Sequence, residues 1–292
     1  PLLISFIYKT AVEIKSIDWC HYCLSLAYSY STISDECKNQ IESLLAQLYI
    51  NNDDPEQAMK IVSILPLSIN KLILEIKCII LLSPEEEDLK EKMISFIQET
   101  TEDRRILVAL SLFVAEHCES IQNVSILFIT EVMRISHTIY DNFHRNIIYT
   151  CAIQISCNLN DTESTFLFVK MIKADNILIE QHRNEIASTI WNKAVDTFDA
   201  NQFEKAVQWM ELSRSLMSDL DNEAQSCFYR FIICCFYEAK NYKEALKYVE
   251  ILTKKIPNCS YGHLLNFQIQ IAQENQKEAF DIVESLISNS PN

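Results

Sequence analysis

Cys20-His21-Tyr22-Cys23 gathers two thiols and an imidazole into one short stretch. A structural zinc site closes with four nitrogen or sulfur ligands. Cys37 is the nearest further thiol, and no second CxxC exists. Residues three apart share one face of a helix, so the spacing reads as core packing and no metal is expected. Cys234-Cys235 sits among Phe231, Ile232, Ile233 and Phe236 and reads as a pair of core thiols. The six histidines, His21, His117, His137, His144, His182 and His263, form no HExxH. His117-Cys118 is the nearest approach to a nucleophile and a base, and a catalytic dyad requires convergence in space rather than adjacency in sequence. No carboxylate lies among apolar residues in the way that raises a catalytic pKa. The acidic run Glu85 to Asp88 has the place of a charged first helical turn. These residues predict no enzyme, no cofactor and no small-molecule substrate.

Composition narrows the classes further. The 292 residues contain one glycine and six prolines. Phosphate-cradling loops need glycine where the backbone meets the ligand, and neither GxGxxG nor GxxxxGK[ST] occurs. Primed hairpin turns are equally starved, because Asn-Gly and Asp-Gly are absent. Forty acidic against 25 basic side chains give a net charge of −15. Such a chain is repelled by phosphate backbones, so no direct nucleic-acid binding is expected. Eleven cysteines without framework spacing read as reduced thiols. No signal peptide or membrane span is read in the sequence, Ile76 to Leu82 being too short for a bilayer.

Helices must therefore carry the fold, and Ile190 to Leu216 shows how. The stretch IWNKAVDTFDANQFEKAVQWMELSRSL reads as two antiparallel helices around a tight turn at Asp199 to Gln202. Ala194 and Ala206 let the backbones approach, and aromatics fill the sides of the contact. This is the tetratricopeptide (TPR) pattern. It recurs: Phe203-Glu-Lys-Ala206 matches Tyr242-Lys-Glu-Ala245 and Gln276-Lys-Glu-Ala279. Ala245 and Ala279 are 34 residues apart, and so are Pro257 and Pro291. The 39 residues from Ala206 to Ala245 imply a longer connection around Ser218 to Ala224. Asn51 to Ala58, preceded by Leu44-Leu45-Ala46 and Tyr49, forms a weaker fourth copy.

The expected fold is all-α, a TPR-like right-handed α-solenoid of about seven helical hairpins. It is read as one continuous superhelix over residues 1–292, with the clearest repeats at 185–292 and degenerate helical pairs at 1–184. Leu2 to Ile14 and Ile17 to Tyr30 are expected helices. Asp54 is expected to cap a helix with Pro55 at its first position, and Ser83 to Glu86 has capping-box spacing. Asn241 and Glu244 repeat that spacing. Between Ile69 and Ala174 large branched residues replace the alanine pattern. Asn176 to His182 reads as irregular, with the next helix opening at Glu185. The start at Pro1 and the end on a repeat's last proline predict a fragment of a longer chain.

The inner wall of a TPR superhelix is built from first helices and binds peptide. The candidate concave surface is Trp191, Asn192, Val195 and Phe198, continued by Arg230, Cys234 and Tyr237 on the next repeat. Trp191 and Tyr237 have a second reading, packing against the neighbouring repeat. Trp209 is expected in the core. A chaperone-type clamp for acidic peptides would need bases where Trp191, Val195, Cys227 and Phe231 stand.

Over Glu185 to Ile256 the chain resembles the meiosis-specific TPR scaffolds of the crossover and synapsis-initiation machinery. That family includes a fungal sporulation and zipping protein and a mammalian testis-expressed counterpart. Trp191-Asn192 beside the small residue, the aromatic-rich CFYRFIICCFYEAKNYKEALKYVEIL segment and long degenerate pairs upstream carry the resemblance. It implies a nuclear, chromosome-associated hub that binds other meiotic proteins and promotes crossover recombination and synaptonemal complex assembly. Two alternatives stay open: another TPR scaffold, such as a cohesin-loader or ubiquitin-ligase subunit wrapping an extended partner, and an enzyme-regulatory domain.

Overall fold

The computed structural model describes residues 10, 16–19, 21–22, 34–82, 88–100, 105–138, 141–217, 222–257 and 259–288. The expected helices at Leu2 to Ile14 and Ile17 to Tyr30, the box at Ser83 to Glu86 and the connection after Ser218 lie largely or wholly outside them. Among the described residues the fold is all-α, with no strand. The α-helices are α1 (Asp35–Asn51), α2 (Pro55–Ile64), α3 (Ile69–Leu82), α4 (Asp88–Glu99), α5 (Arg105–His117), α6 (Gln122–Ile135), α7 (Asn142–Asn158), α8 (Thr162–Asp175), α9 (Glu180–Asp199), α10 (Phe203–Leu216), α11 (Asn222–Glu238), α12 (Tyr242–Lys255), α13 (Ser260–Ala272) and α14 (Gln276–Ser288). A short 3-10 turn, Ser136–Thr138, follows α6. The chain divides into two compact units, Pro1–Ile155 and Ser156–Asn292, with the boundary inside α7.

One turn recurs. After α1, α7, α9, α11 and α13 a single residue is left-handed: Asp53, Asn160, Asn201, Lys240 and Glu274, with φ between 56° and 62°. In each case the following amide closes the helix end. Asp54 N–H donates to Tyr49 C=O, Asp161 to Ser156, Gln202 to Thr197, Asn241 to Phe236 and Asn275 to Gln270, at 2.8–3.0 Å. These bonds satisfy carbonyls that the helix itself leaves unpaired. Glycine is the usual residue for such a turn, yet the chain's one glycine, Gly262, lies inside α13. There a Cβ would come within 3.2 Å of Leu252 Cδ2, so the missing side chain admits α12 beside α13.

The same turn fixes the packing that follows it. Five residues after each left-handed position stands a buried small or short side chain: Ala58, Thr165, Ala206, Ala245 and Ala279, all at most 2% exposed. Asp54 caps α2 by accepting from Gln57 N–H at 3.2 Å, with Pro55 at the first position. Asp161 and Asn241 cap α8 and α12 in the same way. Thr165 occupies the alanine position because its hydroxyl is satisfied, donating to Asp161 C=O and bonding Ser156 Oγ, both at 2.8 Å. A polar group buried without partners would cost about 1–3 kcal/mol.

Within the second unit α9 packs on α10, α11 on α12 and α13 on α14, while α10 touches α11 and α12 touches α13. First helix α11 also touches first helix α13, and second helix α8 touches second helix α10. Within the first unit first helices α1, α3 and α5 touch in succession. Tyr229, Ile233, Ala245, Val249, Leu252 and Ile269 form one buried cluster across α11, α12 and α13.

One boundary differs from expectation. The irregular stretch ends at Ile179, and α9 opens at Glu180, so His182 is helical. The first turn of α9, Glu-Gln-His-Arg-Asn-Glu, is polar on every side and shows no apolar stripe to read. Asn176 closes α8 in the left-handed conformation.

Two predictions follow from this geometry. Ala245→Leu forces α12 away from α11 and costs about 1–3 kcal/mol, read as a lowered melting temperature; an unchanged melt contradicts the register. Lys240→Gly relieves a left-handed side-chain residue and stabilises by about 0.5–1 kcal/mol. A fall in melting temperature for Lys240→Gly contradicts the turn.

Candidate protein-binding surface

The candidate residues sit on α9 and α11, both placed by the repeated turn. Ile186, Ile190 and Ala194 point from α9 into the core and are at most marginally exposed. That orientation turns Trp191 toward α11. Its ring meets Phe228 edge-on at 4.8 Å and tilts against Phe231 at 5.9 Å. Phe198 completes the cluster, with Phe231 at 5.5 Å and Phe203 at 5.3 Å. Such ring pairs contribute about 0.5–1.5 kcal/mol beyond their buried area. Trp191 is half-buried, so one part of the ring joins consecutive hairpins and another meets solvent. Val195 is half-buried and Asn192 is exposed. The Asn192 amide has no hydrogen-bond partner among the described residues.

Arg230 extends the surface toward α13. Its guanidinium lies 4.5 Å from the Tyr261 ring centroid and donates to Cys227 Sγ at 2.8 Å and Ser226 C=O at 3.3 Å. The contact places the cation over an aromatic face, where the ring quadrupole attracts it. Tyr237 leans on Tyr242 at 5.9 Å, at the corner between α11 and α12. Cys234 is half-buried; burial, then the Glu238 carboxylate, pushes its thiol up. Trp209 is fully buried.

The structure thus brings Trp191, Phe198 and Arg230 into two aromatic-centred contacts between hairpins and leaves Asn192 projecting beside them. Sequence reading missed Phe228 and Tyr261. Phe228 stands three residues before Phe231, a spacing that puts both on the face toward α9. Tyr261 is 59% exposed and opens its helix, where nothing in the local pattern marks a cation partner.

In the first unit a polar hollow of about 500 Å³ opens between α1, α3 and α5. Lys77 reaches into it, donating to Gln47 Oε1 at 3.0 Å and lying over Phe113 at 5.2 Å. Burial holds its ammonium below the usual lysine range, with Glu116 opposing. His21 Nε2 pairs with the Tyr49 hydroxyl. Cys20 and Cys23 lie outside the described residues. Among the described residues no three His, Cys, Asp or Glu side chains converge on a metal-sized position.

Thiols give a direct check on the packing. Burial pushes Cys78 to about 11 and Cys157 and Cys235 to about 12, so all three are protonated near neutrality. The thiolate is the nucleophile. Iodoacetamide at pH 8 is therefore expected to alkylate half-exposed Cys227 before any of these three in the folded chain, read by peptide mass spectrometry. Equal rates for Cys157 and Cys227 contradict the buried assignment.

Comparison with known proteins follows the same geography. Residues 160–291 match the family model described as Meiosis protein SPO22/ZIP4 like. The match begins at Asn160, the left-handed residue between α7 and α8, and takes in α8 to α14. No curated protein matches the chain. The family carries a role in meiosis, and no described helix is long and apolar enough to cross a membrane. Over residues 160–291 the chain is thus similar to the SPO22/ZIP4-like meiosis family, the one that the Trp191-Asn192 segment resembles.

Proposed function

We propose that the chain is a non-enzymatic protein-binding scaffold of meiosis. In this reading the hairpins of the second unit stack as a right-handed TPR-like superhelix, with α9, α11 and α13 forming its inner wall. The wall holds partner proteins of the crossover and synapsis machinery, in the nucleus and on chromosomes. Contact with chromosomes passes through those partners, because a net charge of −15 opposes direct binding to DNA.

The observation that carries the reading is the pairing of Trp191 with Asn192. The tryptophan is clamped between hairpins by Phe228 and Phe231, which fixes the backbone of α9 beside it. Asn192 is then presented on a rigid helix with its amide uncommitted. A rigid aromatic anchor beside a free amide suits recognition of a partner backbone or side chain. Arg230, held on Tyr261, adds a cation to the same first-helix layer. The family match over residues 160–291 supports the meiotic setting.

The test separates folding from binding. Trp191→Ala is expected to cost about 2 kcal/mol of stability, less than the cost of a fully buried tryptophan. Asn192→Ala is expected to melt with the parent and to lose partner capture from meiotic cells by about tenfold or more. Co-purification with mass spectrometry and a melting curve on each variant read the outcome. Asn192→Ala that melts and captures like the parent contradicts the reading.

A further inference from the structure

A second surface lies on the opposite set of helices. Between α8 and α10 runs a groove of about 890 Å³. Phe166 and Val169 from α8 and Leu212 from α10 make its floor, and Phe166 is 61% exposed, so its ring is largely open to water. The α8 wall presents Thr162, Phe166, Val169 and Lys173, successive positions of one helical face. From Thr162 to Lys173 that face is about 17 Å long, the length of three helical turns.

The charges along the groove are sorted. Glu163 stands at the end where α8 begins, and Lys170 and Lys173 stand at the end where it finishes. Neither lysine, nor Glu163, has a hydrogen bond or ion pair among the described residues. On the α10 wall the Glu211 carboxylate is already engaged, by Arg214 at 2.6 Å and by the Tyr248 hydroxyl at 3.2 Å. The free charge at the α8 C-terminal end is therefore positive, in a chain whose net charge is −15.

We propose that this groove docks an amphipathic helix of a partner protein. The partner helix carries apolar side chains at i, i+3 or i+4, and i+7 for the floor. It places acidic side chains over Lys170 and Lys173 and a basic side chain over Glu163. Helix-in-groove docking of this kind buries the exposed phenyl ring, and the sorted charges set which way the helix lies. The site stands on second helices and does not depend on the first-helix wall of α9 and α11.

The probe is a displayed library of randomised peptides about 16 residues long, enough to span the groove as a helix, selected against the full chain. Enriched peptides are expected to show the apolar spacing with acids at one end. A synthetic copy of the leading peptide is expected to lose at least about tenfold in affinity against Phe166→Asp and against the double variant Lys170→Glu, Lys173→Glu. Changing its acids to lysine is expected to restore affinity for the double variant. All three positions are exposed, so both variants should melt with the parent. Asn192→Ala should bind the peptide unchanged. The proposal falls if no peptide is enriched, if enriched peptides bind Phe166→Asp like the parent, or if the lysine reversal has no effect. It also falls if Phe166→Asp abolishes self-association in sedimentation, which would assign the groove to a second copy. Peptides lost on Asn192→Ala and kept on Phe166→Asp would overturn this site and leave the first-helix reading standing.

Discussion

A left-handed residue at the end of one helix, followed five residues later by a buried small side chain, is the constraint on which the hairpins depend. The turn reverses the chain in the fewest residues and pairs the helix-end carbonyls. The small side chain then lets the second helix lie close against the first. Asp53 with Ala58, Asn160 with Thr165, Asn201 with Ala206, Lys240 with Ala245 and Glu274 with Ala279 repeat this pair. Asparagine and aspartate tolerate the left-handed region better than other side chains. Lys240 and Glu274 occupy it at a cost, which the buried cluster of Tyr229, Ile233, Val249 and Leu252 offsets around α12.

Function follows from how little freedom that leaves. Once α9 and α11 are fixed, Trp191 has a defined slot between Phe228 and Phe231, and Asn192 has a defined direction. Arg230 gains its orientation from Tyr261 on the next first helix. Each side chain on the proposed wall is therefore positioned by the hairpin beside it rather than by a loop. The groove of Phe166 and Leu212 arises in the same way from two second helices.

Much of this was legible in the residues. Ala206, Ala245 and Ala279, read with the spacing of Pro257 and Pro291, mark the C-terminal hairpins, and the caps at Asp54 and Asn241 are where their side chains imply. The α7–α8 hairpin is legible as Asp141 to Cys157 followed by Glu163 to Ala174, but its seam is not, because Thr165 replaces alanine; the bond to Ser156, nine residues earlier, shows how a hydroxyl fits an apolar seam. The start of α9 was hidden because its first turn is polar all round. Within the site, the exposed setting of Asn192 and the contact of Trp191 with the next hairpin depend on which face α9 buries against α11. The charge sorting of Glu163, Lys170 and Lys173 follows from α8 alone, but the groove they border needs α10 beside it.

The most direct measurement is amide hydrogen exchange on the full chain, free and bound to a partner captured from meiotic cells. Exchange reports local opening along each helix. Binding at the proposed wall predicts added protection in peptides covering residues 188–199 of α9 and 227–238 of α11. Protection confined to the first unit, or no change in α9 and α11, would contradict it.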